Sequence, residues 1–142
     1  GVEVGVATLY VEGKPTPDPS QEGNKSLAYY YYAFYDLNYY ARNLGMFMMT
    51  SAAALFAQCG FRHLYLGTCY SINALYKTQF AGAEFFNGFR WSDDLDELKF
   101  IIQRDKKELD QHLLETDAYR DEFYKGDLGK ITDASAFRVK VK

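Results

Sequence analysis

Seven tyrosines crowd into twelve residues: Tyr29, Tyr30, Tyr31, Tyr32, Tyr35, Tyr39 and Tyr40. Aromatic side chains favour the pleated, half-buried surface of a strand. Each phenol also wants a wet or hydrogen-bonded end. A core cannot easily satisfy so many hydroxyls together, so some of these rings are expected to line a cleft. Residues 27–35 (LAYYYYAFY) are rich in β-formers throughout and read as a central strand covered on both faces. The rest of the chain must supply what pairs with it and packs against it.

Residues 2–11 (VEVGVATLYV) alternate and read as the partner strand. Residues 12–26 hold all three prolines and form the long connection between the two. After a turn at 36–38, residues 44–59 place Leu44, Phe47, Met48, Ser51, Leu55 and Cys59 on one helical face, with Gly60 as the stop. Small residues at 51–54 let that helix lie close to a sheet. Residues 63–70 (HLYLGTCY) then read as a strand, and Ser71 or Asn73 caps a short helix that runs through Phe80 to Gly82. Residues 84–91 (EFFNGFRW) return to strand.

Ser92, Asp93 and Asp94 cap a long acidic helix with a stripe of Leu95, Leu98, Ile102, Leu109 and Leu113. A short helix follows over 116–125, and 136–141 (AFRVKV) is either a last strand or a basic tail. Strands alternating with helices define an α+β class, α/β-like, with crossover connections.

Charge narrows the function classes. Over residues 1–91, six acids balance six bases; residues 92–127 carry twelve acids and six bases; the last fifteen residues carry one acid and four bases. No segment has the broad positive field of a duplex DNA binder. Cys59 and Cys69 in 142 residues make no disulfide scaffold, and with His63 and His112 they match no zinc spacing, so no metal is expected. The longest apolar stretch, 44–59, is too short to span a membrane, and neither a signal peptide nor a lipidation signal is legible, so a cytoplasmic location is expected. The sequence opens at Gly1 inside an alternating run and reads as a piece of a longer chain.

The sharpest local feature is Arg42-Asn43-Leu44-Gly45-Met46, between the tyrosine-rich strand and the apolar helix. A glycine at a helix start lets backbone N–H groups face an anion, which the helix dipole favours, and Arg42 adds charge beside them. A plain helix start with a solvated arginine has the same pattern. Lys77, just after Tyr76 on the next short helix, suits a phosphate, a carboxylate or plain solvent. Ser51 and Ser71 have no evident histidine partner, and the carboxylates over 93–97 read as helix-capping charge.

The element order, with an Arg-x-x-Gly loop opening the first helix, resembles the second half of the GNAT acyltransferase fold. Four ordered motifs narrow the likeness: Phe34-Tyr35-Asp36, Arg42-Asn43-Leu44-Gly45, Leu64-Tyr65-Leu66-Gly67 and Tyr76-Lys77-x-x-Phe80. Together they resemble the C-terminal domain of arginyl- and leucyl-tRNA–protein transferases over roughly residues 2–91. Thr68-Cys69-Tyr70 and Ala81-Gly82 depart from the family, which has aromatics and an Arg-Pro pair there.

The resemblance implies a GNAT-like mixed sheet lacking its first strands over 1–91. Residues 92–142 are then an acidic helical extension and basic tail of the same domain. The implied reaction moves an amino acid from aminoacyl-tRNA to a protein N-terminal amine. Arg42 to Met46 would hold the donor, and Asp36 and Lys77 would meet substrate. Tyr35, Tyr65 and Tyr76 are the candidate proton donors. No cofactor is implied beyond the acyl donor, which is aminoacyl-tRNA, through its 3′ end, or acyl-coenzyme A. Two alternatives stand beside this: a coenzyme A-dependent N-acyltransferase, and a non-catalytic relative that binds a peptide or protein. The missing first strands also leave an edge at residues 2–11, which predicts a homodimer or cover by residues 136–141.

Overall fold

In the computed structural model, which describes residues 1–11, 27–105 and 111–135, β1 (Gly5–Val11) lies antiparallel to β2 (Leu27–Tyr35). Helix α1 (Leu44–Gln58) then carries the chain back to β3 (His63–Tyr65), which runs parallel to β2 and completes a sheet of order β1-β2-β3. The mixed α+β class is therefore as the sequence indicates. The chain divides into two compact units, Gly1–Gly67 and Thr68–Lys142. The expected connection over 12–26, Leu109, and the strand or tail over 136–141 fall outside the described residues.

β2 is central, as expected, but among the described residues only one of its faces is covered. The pairing slips between Thr8 and Leu9: Thr8 opposes Tyr32 while Leu9 opposes Tyr30, leaving Tyr31 as an extra residue. A bulge of this kind reverses the side-chain alternation beyond it. It sorts the strand into Ala28, Tyr30, Ala33 and Tyr35 on one face, and Tyr29, Tyr32 and Phe34 on the other. Ala28 and Tyr30 are buried, and Ala33 and Tyr35 half-buried, while Phe34 is 65% exposed. The unbroken run of β-formers hid this sidedness, because a bulge cannot be counted from a pattern with no polar residues to mark phase.

The helix face differs too. Met49, Ala52 and Phe56 are buried, whereas Phe47 and Leu55 are exposed. Helix α1 contains no charged residue and is apolar around its circumference, so a 3.6-residue period cannot single out one side. Packing decides instead. A side chain on Gly5 of β1 would meet the Met48 thioether at 2.7 Å, which shows how closely helix and sheet approach. Gly60 does end the helix, in the left-handed conformation (φ 80°). Phe61, just beyond, returns to the core edge-on to Phe56, with ring centres 5.1 Å apart.

The second unit is built mainly from helices. Of the strand expected over 63–70, only His63–Tyr65 pairs; Gly67, at φ 82°, turns the chain out of the extended run. A 3₁₀ helix over Ile72–Gln79 stands where a short helix is expected. The strand expected over 84–91 is a tight hairpin of β4 (Phe85–Phe86) and β5 (Trp91–Ser92), because Asn87-Gly88 is a turn signal. Helix α2 (Leu95–Arg104) is capped by Asp94, and it buries Leu98 and Ile102. It ends well short of Leu113, which lies in a separate 3₁₀ turn, Leu113–Glu115. Helix α3 (Asp117–Tyr124) matches expectation, and α4 (Leu128–Ala134) follows it. Phe89, Tyr119, Tyr124 and Ile131 form the core there.

Candidate functional site

The start of α1 holds most of the residues singled out in the sequence. Asp36 caps a 3₁₀ helix over Leu37–Arg42, its carboxylate accepting from the Asn38 N–H at 2.9 Å. That turn carries the chain off the end of β2. Asn43 then adopts the left-handed conformation (φ 55°) and begins α1 without placing its side chain on the helix. Asparagine tolerates this conformation better than most residues. The first-turn N–H groups of α1 have no intrahelical acceptor within reach, and the cap side chain makes no hydrogen bond to them.

Gly45 sits in that first turn, directly over the Tyr35 ring. A Cβ on Gly45 would lie 3.0 Å from the Tyr35 hydroxyl and 3.1 Å from two ring carbons. The absence of a side chain thus sets a phenol against the positive end of the helix. Arg42, exposed, lays its guanidinium over the Tyr39 ring, 5.5 Å from its centre. The expected donor loop therefore gathers Tyr35, Asp36, Arg42, Asn43, Leu44, Gly45 and Met46 at one end of the sheet. Uncapped N–H groups and a guanidinium give that end positive potential, which suits an anion.

Tyr65 lies elsewhere in the same unit, on β3, with its ring 5.1 Å from that of Tyr29. Tyr29 contacts Tyr31, Tyr31 contacts Tyr32, and Tyr32 approaches Phe34, with centre separations of 5.3, 4.2 and 6.2 Å. Among the described residues the phenols thus form a ladder of ring contacts on the sheet face opposite α1. The Tyr31 hydroxyl is held above the usual tyrosine range, chiefly by its hydrogen bond with Tyr32.

Tyr76 and Lys77 belong to the second unit. The Lys77 ammonium donates to the Thr68 carbonyl at 2.8 Å, so it ties down its own loop. Cys69 beside it is pushed up by burial, an effect the Lys77 charge partly offsets. Among the described residues, no three His, Cys, Asp or Glu side chains gather as metal ligands.

One cluster escaped the sequence. Glu97, assigned to capping charge, is fully buried, and only Asp94 caps the helix. The Glu97 Oε1 accepts from the Asn87 amide at 2.8 Å, from the Tyr124 hydroxyl at 3.1 Å and from the Tyr119 hydroxyl. Its Oε2 accepts from Ser92 at 2.6 Å and from the Arg90 guanidinium at 3.2 Å. Arg90 also donates through Nε to Tyr124 at 2.8 Å, and Asn87 Oδ1 accepts from the Phe89 and Arg90 N–H groups. Burial pushes the Tyr119 hydroxyl far above its ordinary value, with the Glu97 hydrogen bond adding to the effect. Burial works against the Arg90 charge, but the bond to Tyr124 and the neighbouring Glu97 charge outweigh it and raise its pKa. Every polar group here is occupied by another, which makes the cluster a fastening and not a reaction centre. Its one sequence signal was a glutamate at the third helical position, three and four residues before the apolar Phe100 and Ile101 and so on their face of the helix.

Comparison of the chain with protein-family models, curated proteins and solved structures finds no match in any of the three. No helix among the described residues is long and apolar enough to cross a membrane.

Proposed function

We propose that the chain is a GNAT-like transferase domain that passes an aminoacyl group from aminoacyl-tRNA to a protein N-terminal amine in the cytoplasm. The observation that carries this reading is the start of α1, where Gly45, uncapped N–H groups and Arg42 meet the Tyr35 phenol. The parallel β2–α1–β3 unit supports it, since that crossover is what the resemblance calls for. In this reading the first-turn N–H groups and Arg42 hold a donor phosphate. A neutral amine attacks the ester carbonyl, the carbonyl oxygen gains charge, and the ribose oxygen leaves with a proton. In this reading the Tyr35 phenol gives the ribose oxygen that proton and is restored by the proton the attacking amine loses, so the transfer consumes no net proton. Orientation and electrostatic stabilisation provide the rate without a covalent nucleophile or a cofactor. A coenzyme A thioester presents the same phosphate and carbonyl chemistry and is the alternative donor.

Calorimetric titration of aminoacyl-tRNA and of acetyl-coenzyme A tests this. The unmodified chain should bind one of the two, and Arg42→Ala should weaken that binding roughly ten- to a hundredfold, as expected for a lost charge-assisted contact. Equal binding by Arg42→Ala refutes the phosphate loop. Silence with both donors favours the second reading, a peptide- or protein-binding relative of the fold, which the exposed aromatic face independently supports.

A further inference from the structure

β1 is an edge strand of the sheet, with β2 on one side and no strand among the described residues on the other. Its sequence, GVATLYV, contains no charge and no proline, the two devices that ordinarily keep edges from pairing. The direction of its backbone groups follows from one hydrogen bond: the Asp36 N–H donates to the Val4 carbonyl at 2.8 Å. Even-numbered positions thus turn their backbone groups towards β2, and Gly5, Ala7, Leu9 and Val11 turn theirs outward. The bulge lies on β2, so β1 keeps this alternation along its whole length.

We infer that β1 is a self-pairing edge, which joins antiparallel to β1 of a second copy of this chain about a two-fold axis at Thr8. In that register Gly5 opposes Val11, Val6 opposes Tyr10, Ala7 opposes Leu9, and Thr8 opposes itself. Each large side chain meets a smaller one. The outward-facing odd positions meet each other, so all four form ladder hydrogen bonds, and no other two-fold register uses all seven residues. Thr8 becomes a pair without ladder hydrogen bonds, the closer of the two antiparallel spacings. Tyr10, 68% exposed, stands on the same face as Tyr29, Tyr32 and Phe34, so pairing would join two aromatic faces into one. Within Gly5–Val11 no charged side chain opposes the approach of a second copy. A partner selected by charge has nothing on this edge to recognise.

The test is a charge swap at the axis. Sedimentation velocity should find the unmodified chain dimeric. Thr8→Lys and Thr8→Glu should each weaken self-association about tenfold or more, because like charges then face each other directly. Far-UV circular dichroism checks that both variants keep their fold. Mixing the two should restore a dimer containing one of each, which a general loss of stability at residue 8 would not do. The inference is overturned by a monomeric unmodified chain, by charged variants that stay dimeric, or by a mixture that stays monomeric. Val6→Lys, on the same exposed face but away from the axis, should weaken the dimer less than either.

Discussion

Tyrosine does two opposite things in this chain. On the sheet of the first unit, Tyr29, Tyr31, Tyr32 and Tyr65 stack ring against ring on a face open to water. In the second unit, Tyr119 and Tyr124 are buried and the hydroxyls of both donate hydrogen bonds to Glu97. A phenol at the surface can hydrogen-bond to water, so its ring is free to serve as contact area. A buried phenol must find a partner or lose the free energy of an unmade bond. The lesson is that the hydroxyl, not the ring, decides which region a tyrosine can hold together.

The buried set is where that contrast breaks most visibly. Glu97→Ala leaves Arg90, Asn87, Ser92 and two tyrosines facing a gap, and loss of one partner from a buried ion pair costs about 3–5 kcal/mol. The lower end applies, since the Arg90 side chain remains 27% exposed and can reach water. Urea unfolding of the second unit should register the loss; an unchanged midpoint would mean that the carboxylate fastens nothing.

Tyr119→Phe removes one hydroxyl from the same knot and should cost about 1.5–3 kcal/mol, the range for a hydrogen bond to a charged group. This residue also sets an alkaline limit. Its hydroxyl is raised in the folded chain, so the folded state holds a proton that the unfolded state releases near the ordinary tyrosine value of about 10. The stability it contributes is therefore complete below that pH and falls as pH rises beyond it. Unfolding measured between neutral and strongly alkaline pH should show this fall, and Tyr119→Phe should flatten it.

Gly45→Val sharpens the other side of the comparison, because the first turn of α1 packs over the Tyr35 ring. The new side chain meets the hydroxyl and ring at about 3 Å, and overpacking of this kind costs about 1–3 kcal/mol. Thermal unfolding of the first unit should shift, and donor binding should fall with it. The smallest effect belongs to the exposed ladder: Phe34→Ser should change stability by no more than about 0.5 kcal/mol. A larger loss would mean that the outer face carries part of the fold.

Much was legible in the sequence where the signals are local. Alternation in β1, the β-formers of β2, the Asp94 cap, the Gly60 stop and the helix over 117–124 each depend on residues within a turn of one another. The Arg42–Met46 stretch was legible for the same reason. It follows a strand and opens a helix, and the structure sets Gly45 over the Tyr35 ring beside the Asp36-capped turn. Legibility failed wherever neighbouring residues carry no contrast. Four consecutive tyrosines cannot announce which of them is the bulged one, and an uncharged helix cannot announce its buried side.

Composition and local pattern thus determined by themselves that this chain forms a mixed α+β structure, with a strand–helix–strand unit and a helix that opens at Leu44. Only tertiary structure decided which tyrosines face water, that Gly45 is the seat for Tyr35, and that Glu97 turns inward to meet Asn87, Ser92 and Arg90 on one side and Tyr119 and Tyr124 on the other. The physical reason is range. A cap or turn is settled by hydrogen bonds across two to four residues, whereas Glu97 and Tyr124 are 27 residues apart in sequence. Their meeting depends on how α2, α3 and the β4–β5 hairpin fill one shared core.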